Sequence, residues 1–368
     1  MKLTLQMKLL PDEPQARSLR TTLKAANQAC NQISTYAWDH KVFNQFRLHR
    51  GMYRTVKDTS GLSAQVVVRC ISKVADAYKL DRKTPRTFKP LGAITYDSRI
   101  LSYNLKQQLA SMWTFDGRQK IPFVCHNSKL LPYIKGEADL VLKHGKWYLF
   151  QTVEVPEEDI IDVEDFIGVD FGLVNIATLS TGETLSGKEL EQYRVTRQKV
   201  RSSLQAKGTK GTKKALKRLS GKERRTASIV NHTIAKRIVE TAKNAKKGIV
   251  LEDLTGIRKN SAKMGLAFRT RVGRWNFSQL RGFIEYKARR CGIPVILVDP
   301  RYTSQTCNSC YRIGTRRNES FTCTCGYSEH ADVNAARNIR QAGLLVSQPE
   351  QSAMHCRLSH GQVESRLL

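Results

Sequence analysis

Negative charge and long apolar runs are both scarce in this chain of 368 residues. Asp and Glu number 32 against 62 Lys and Arg, a formal net charge of +30. A polypeptide with that excess repels itself unless a polyanion neutralises it, so nucleic acid is the expected partner. No stretch approaches the ~20 consecutive apolar residues that a membrane span requires. The first ten residues alternate apolar and polar positions like a strand, where a secretory leader would carry a continuous apolar run. No internal repeat is present, and no recognition helix or finger pattern of the kind that reads base edges. Five of the nine cysteines (Cys30, Cys70, Cys125, Cys291 and Cys356) are scattered, as buried thiols of an intracellular chain are. The expected location is the cytoplasm, at the nucleoid.

What is present changes character along the chain. After the alternating strand of residues 2–10, Pro11-Asp-Glu-Pro14 marks a turn and a helix start. Leu19, Leu23, Ala26, Cys30, Ile33 and Ala37 then recur at helical spacing. Val67, Ile71, Val74 and Tyr78 mark a second helix over 63–80. A basic, aromatic-containing connection with Phe46, Arg47, His49, Arg50, Tyr53 and Arg54 joins the two. From about residue 86 to 160 the pattern is strand-like. Leu109–Phe115 and Lys120–Cys125 read as a hairpin about Asp116-Gly117, and Ala138–Lys143 and Lys146–Val155 as another about His144-Gly145. Beyond residue 160, strands (165–172, 175–179, a third after Thr181-Gly182) precede long helices over 189–247. A buried strand at 248–254, a helix at 275–291, a strand at 293–298 and a helix at 331–342 follow, the order of an α/β layer fold. Residues 344–368, rich in Gln, Ser and His, read as a disordered tail.

Three acids stand where a nuclease needs them. Phosphodiester hydrolysis with two metal ions calls for carboxylates converging from separate elements on cations ~4 Å apart, and Mg²⁺ prefers oxygen ligands. Asp170 lies inside the apolar strand Ile167-Gly-Val-Asp-Phe-Gly172, where an unpaired carboxylate is costly. Glu252 ends the run Gly248-Ile-Val-Leu-Glu252, and Asp332 opens a helix whose dipole favours an anion. Asp253 serves as the control, because neighbouring strand residues face opposite sides.

Cys307-x-x-Cys310 and Cys323-x-Cys325 offer four thiolates to a structural zinc. The second pair is one residue shorter than the usual Cys-x-x-Cys, so His330 stays open as a substitute ligand. Arg194 to Arg225 carries thirteen Lys or Arg and one acid, Glu223, a run suited to phosphates; its candidate contacts are Lys207, Lys210, Lys213, Lys214, Lys217 and Arg218. Phe277, Phe283, Ile284 and Tyr286 are expected to pack their helix rather than stack on bases.

These residues come in a telling order: Gly168-Val-Asp-Phe-Gly172, Val250-Leu-Glu-Asp-Leu254, Pro300-Arg-Tyr-Thr-Ser-Gln-Thr-Cys-Asn-Ser-Cys310, then Cys325-Gly-Tyr-Ser-Glu-His-Ala-Asp-Val-Asn-Ala-Ala-Arg-Asn-Ile339. The set resembles the TnpB family, RNA-guided nucleases of bacterial insertion sequences related to the miniature type V CRISPR effectors. The resemblance covers roughly residues 160–340; over 1–160 it rests on a β module interrupted by helices. It implies an RNase H-like (RuvC) nuclease domain at 161–303 and 330–343, with Asp170, Glu252 and Asp332 as the Mg²⁺ site. It also implies a zinc ribbon inserted at 304–329, a β-barrel-like wedge domain at 1–10 and 86–160, and a helical recognition domain at 11–85. The basic segment 258–274 looks like a lid by position. The implied activity is Mg²⁺-dependent cleavage of double-stranded DNA beside a short adjacent motif, by a monomer guided by an RNA from the transposon end. A nuclease-inactive RNA-guided repressor, a DNA strand-transferase and a miniature CRISPR effector share the fold; the first should have broken acids, and here the set is intact.

Overall fold

The computed structural model describes residues 1–255, 265 and 277–347, so segment 258–274, apart from residue 265, and residues 348–368 lie outside the described residues. The chain forms two compact units, Met1–Pro156 and Glu157–Leu368. Among the described residues no helix is long and apolar enough to cross a membrane.

In the first unit the opening strand β1 (Lys2–Leu9) is central to a seven-stranded antiparallel sheet. The other strands are β2 (Ile94–Tyr96), β3 (Leu101–Asn104), β4 (Leu109–Thr114), β5 (Gly117–Cys125), β6 (Ile134–Lys143) and β7 (Lys146–Glu154). The order is β2-β6-β7-β1-β5-β4-β3. Its two ends are successive strands, and the Tyr96 hydroxyl donates to the Trp113 carbonyl of β4 (2.9 Å), so the sheet nearly closes into a barrel. The β6–β7 turn is His144-Gly145, both at positive φ (52° and 75°), the conformation that a two-residue hairpin demands. The β4–β5 turn falls one residue earlier than the sequence suggests, since Thr114 pairs with Gly117.

Three helices pack on this sheet: α1 (Glu13–Asp39), α2 (Gln45–Ser60) and α3 (Ala64–Leu80). Asp12 and Gln15 close a reciprocal capping box at the start of α1. The basic connection between the two expected helices is itself helical. Leu48, Met52 and Val56 form a one-residue-wide buried stripe on α2, too narrow to stand out among its arginines. Helices and strands share one hydrophobic core, with Leu23, Ile33 and Ile71 meeting Met7 and Leu149.

The second unit holds a five-stranded sheet in the order β10-β9-β8-β11-β12. Its strands are β8 (Phe166–Asp170), β9 (Asn175–Leu179), β10 (Thr184–Ser186), β11 (Gly248–Glu252) and β12 (Val295–Val298). β8, β11 and β12 are parallel, while β9 and β10 are added antiparallel. Between β10 and β11 run α4 (Lys188–Lys207) and α5 (Lys210–Ala245); α6 (Phe277–Arg289) precedes β12, and α7 (Ala331–Ser347) closes the described chain. Residues 344–347 thus belong to a helix and not to the tail.

Alternation assigns the sheet's faces. Ile167, Val169, Ile249 and Leu251 pack with Ile234 and Ile238 of α5 and Leu280 and Ile284 of α6. Phe166 and Val250 pack on the other side with Ile339 of α7. Gly168 explains how closely α7 lies: a Cβ there would stand 2.0 Å from the Ala336 carbonyl oxygen, and one on Gly343 would stand 2.1 Å from Val250. Asp165 clamps the start of β8 to Lys247 and to Arg340 of α7, both at 2.7 Å. Burial works against that charge, but the hydrogen bonds from Arg340 and Lys247 outweigh it and hold the carboxyl down to about 2.

Segment 304–329 carries three short antiparallel strands, β13 (Thr315–Arg317), β14 (Ser320–Thr322) and β15 (Ser328–His330), that run directly into α7. None of the three is long enough to show a sequence period.

Candidate functional site

The face that receives α7 also receives the acids. Asp170 is two residues past Gly168 on β8, and Glu252 two past Val250 on β11, so both share the parity of positions that meet α7. Each is the last residue of its strand, and Asp332 is in the first turn of α7. Glu252 and Asp332 are near enough to act on Asp170. Burial, then the charges of Glu252 and Asp332, push the Asp170 carboxyl up to about 8. Burial also raises Glu252, against a hydrogen bond from Thr303 (2.6 Å). Among the described residues nothing donates a hydrogen bond to the Asp170 carboxyl. A buried carboxyl that feels the charge of two others and has no donor offers oxygen ligands of the kind a divalent ion takes.

Asp253 stands apart. Its carboxylate accepts from Thr255 and from Arg281 of α6 (2.9 Å), and those hydrogen bonds lower its pKa.

Three side chains at this centre escaped the sequence analysis. Thr303 reaches Glu252, Asn175 Nδ2 donates to Asp332 Oδ2 (3.2 Å), and Arg316 Nη2 of β13 donates to Asp332 Oδ1 (2.7 Å). Arg316 also opposes the upward shift at Asp170, so its guanidinium faces the group of acids. No local pattern marks it, because the ribbon's fold alone brings it there.

The four thiols gather at the base of the ribbon. Their sulfurs all lie within 4.8 Å of one another, with Cys307–Cys325 at 3.8 Å and Cys310–Cys323 at 3.5 Å. Tetrahedral zinc with bonds near 2.3 Å sets its sulfurs ~3.8 Å apart, so the set fits the ion. The Cys325 amide holds the Cys323 thiol down to about 6, toward the thiolate that a metal takes. His330 has other work: its Nδ1 accepts from the Asp332 amide (3.2 Å). Metal analysis of the purified protein should therefore find about one zinc per chain. Cys307→Ser or Cys325→Ser should lose it, and His330→Ala should keep it. Protein prepared without chelators and found free of zinc would leave a ribbon held by its strands alone.

Lys207, Lys210, Lys213, Lys214, Lys217 and Arg218 are all exposed around the turn between α4 and α5, and none pairs with an acid among the described residues. Deeper between these helices is a cleft of about 390 Å³ lined by Arg194, Arg201 and Arg224 with Ser220 and Glu223. The apolar and aromatic residues of α6 pack as expected: Phe277 and Ile284 are buried, Phe283 stacks on His232 at 3.6 Å, and Tyr286 meets Phe283 edge-on.

Comparison with known proteins gives the following similarities. The Cas12f1-like TNB domain family matches residues 277–339. The chain is 32% identical over 219 residues to a CRISPR-associated endodeoxyribonuclease Cas12f1 of Sulfoacidibacillus thermotolerans, covering 54% of this chain and 50% of that protein. It is 38% identical over 120 residues to a TnpB-like protein of Methanocaldococcus jannaschii, covering 33% and 43%. It is 29% identical over 222 residues to the putative RNA-guided DNA endonuclease InsQ of Escherichia coli, covering 55% of each. The chain thus spans about half the length of the curated relatives it matches. In fold it is similar to the protein of a Cas12f1–sgRNA–target DNA complex, with a TM-score of 0.61 at 15% identity over 87% of this chain and 82% of that one.

Proposed function

We propose that this chain, a relative of the TnpB-like proteins and the miniature Cas12f effectors, is an RNA-guided, Mg²⁺-dependent DNA endonuclease of the kind carried by insertion sequences. What supports the chemistry most is the convergence of Asp170, Glu252 and Asp332 at the ends of two adjacent parallel strands and the start of α7. The strand order, three antiparallel strands with two parallel ones added beside β8, supports an RNase H-like (RuvC) domain. Asp170, Glu252 and Asp332 would hold two Mg²⁺ ions, which supply Lewis-acid stabilisation and an activated water for phosphodiester hydrolysis. Around them the chain's own groups fix geometry. Thr303 and Asn175 restrain carboxylate oxygens, and Arg316 offers a guanidinium whose fork matches a phosphate. The ribbon is proposed as a structural zinc element, and the first unit as the wedge and recognition segments that hold guide and target.

Similarity to Cas12f1 supports a second origin, a miniature CRISPR effector. The two differ in whether the bound RNA comes from a repeat array or from a transposon end. The test is a cleavage assay with the protein as it purifies, its co-purifying RNA sequenced, and a matching duplex supplied with Mg²⁺. Free double-strand breaks support hydrolysis; joined ends would favour a strand-transferase, and binding without cutting a repressor.

The basic turn carries its own expectation. Neutralising Lys207, Lys210, Lys213, Lys214, Lys217 and Arg218 to Gln should weaken nucleic-acid retention. It should also flatten the plot of log K against log salt by about 0.7–0.9 for each phosphate that the protein no longer neutralises. An unchanged slope would move the phosphate-binding surface elsewhere.

A further inference from the structure

Two asparagines one helical turn apart, Asn334 and Asn338, are buried on α7. A buried amide has to find partners for both its ends, and these find them in one short stretch of chain. Asn334 Nδ2 donates to the Thr306 carbonyl (2.8 Å), and its Oδ1 accepts the Asn308 amide (3.0 Å). Asn338 Nδ2 donates to the carbonyls of Thr303 (2.8 Å) and Thr306 (2.7 Å), and its Oδ1 accepts from Asn308 Nδ2 (3.3 Å). The helix that begins with Asp332 therefore grips residues 303–308, the root from which the ribbon departs. At the first of those residues the Thr303 hydroxyl reaches Glu252 Oε1 at 2.6 Å and the Pro300 carbonyl at 3.1 Å. A hydroxyl has one proton, and the shorter contact, to the group that carries charge, takes it. Among the described residues no other donor hydrogen-bonds the Glu252 carboxyl.

We infer that Thr303 is a positioning residue for Glu252, and that Asn338, by fixing the Thr303 backbone, ties the orientation of that carboxylate to the helix carrying Asp332. This rests on the proposed role of Glu252 as a metal ligand. A glutamate has three side-chain torsions, and burial alone does not choose among them. One short hydrogen bond to Oε1 fixes how the carboxylate presents its remaining lone pairs. Groups that orient a ligand in this way commonly change metal affinity or activity by about 10–100-fold when removed. Because Cys307 lies in the same stretch, the ribbon and the acid centre grow from one clamped root.

The test uses the full-length protein. Binding of Mn²⁺ is titrated by electron paramagnetic resonance, and cleavage is followed against Mg²⁺ concentration, for the parent, Thr303→Val, Thr303→Ser and Glu252→Gln. Thr303→Val keeps the side-chain shape and removes the donor. It should weaken Mn²⁺ binding about tenfold or more and raise the Mg²⁺ concentration for half-maximal cleavage correspondingly, with zinc content and RNA retention unchanged. Thr303→Ser, which keeps the donor, should restore both to near the parent's values. Two results overturn the inference: Mn²⁺ binding by Thr303→Val equal to the parent's, or a Thr303→Ser variant as impaired as Thr303→Val, which would make the methyl's packing the cause. Glu252→Gln separates this failure from a deeper one. If it loses Mn²⁺ while Thr303→Val does not, only the positioning role falls; if it binds Mn²⁺ like the parent, the carboxylate site itself is misassigned.

Discussion

Asp170→Asn is expected to yield a protein that retains nucleic acid, cuts nothing, and in the absence of divalent ions is more stable than its parent. The loss of cutting follows from chemistry: metal ligation contributes several kcal/mol to phosphodiester cleavage, and each 1.36 kcal/mol is tenfold in rate, so a fall of at least about a thousandfold is expected. Asp332→Asn should do the same. The gain in stability follows from electrostatics. The folded protein raises the Asp170 carboxyl from 3.8 to about 8, through burial and then the charges of Glu252 and Asp332. A raised acid is one whose ionised form the fold disfavours. Below pH ~4 the group is protonated in folded and unfolded chains alike, and no cost arises. Between pH ~4 and about 8 the unfolded chain releases a proton that the folded one keeps, so stability falls as pH rises through that window. Asn removes the cost, and at neutral pH should raise the melting temperature by about 2–4 °C for each kcal/mol relieved. Calorimetry without metal, paired with a cleavage assay, checks both halves. Mg²⁺ should stabilise the parent more at pH 8 than at pH 5.5, since ion and proton compete for the same oxygens. Asp253→Asn is the control, because that carboxylate faces Arg281 and Thr255; it should change the rate by no more than about twofold. An inactive Asp253→Asn beside an active Asp332→Asn would show that the site has been misassigned.

The three acids were legible in the sequence as candidates for a physical reason. A carboxylate within a run such as Ile167-Gly-Val-Asp-Phe-Gly172 breaks the apolar pattern, and a buried acid without a partner is costly. Strand parity then separates Glu252 from Asp253 without coordinates, and Asp253 indeed meets Arg281 of α6 on the other side of the sheet from α7. The thiol cluster was legible from spacing. The four sulfurs gather without the substitute ligand, since His330 Nδ1 accepts from the Asp332 amide. What stayed hidden depends on tertiary placement. Arg316 is one of several basic residues in the ribbon, and only the hairpin of β13 and β14 carries it to Asp332. Thr303 was visible only as part of a motif, since its contact with Glu252 spans 51 positions of sequence. The helix α2 reads as a connection because a stripe of three apolar residues carries little periodic signal. Strands of three or four residues, such as β2, β3 and β13 to β15, carry less still.

A nuclease that reads DNA through its own side chains needs an element that enters a groove and presents a few residues to base edges. No pattern for such an element is present in the sequence, yet the net charge is +30. That charge exceeds what contact with one short duplex requires, and it suits a channel that holds an RNA–DNA hybrid by its backbone while base pairing supplies the sequence. The exposed cations around the α4–α5 turn suit that use, because Lys and Arg side chains that contact phosphates position a nucleic acid without reading its bases. The protein is therefore expected to purify with a structured RNA whose terminal segment matches the DNA it cuts. Replacing that segment should redirect cleavage to a new duplex wherever the short adjacent motif is kept, and mismatches nearest the motif should abolish it. Stripping the RNA should remove sequence-specific cutting altogether, even with Mg²⁺ and an intact acid triad, and adding the RNA back should restore it. The all-or-none contrast makes the assay decisive: RNA-free protein that still makes double-strand breaks at a defined sequence would falsify the guided mechanism. The same result would leave the proposal of Asp170, Glu252 and Asp332 as the hydrolytic centre standing, because metal-ion hydrolysis does not depend on how the target was found.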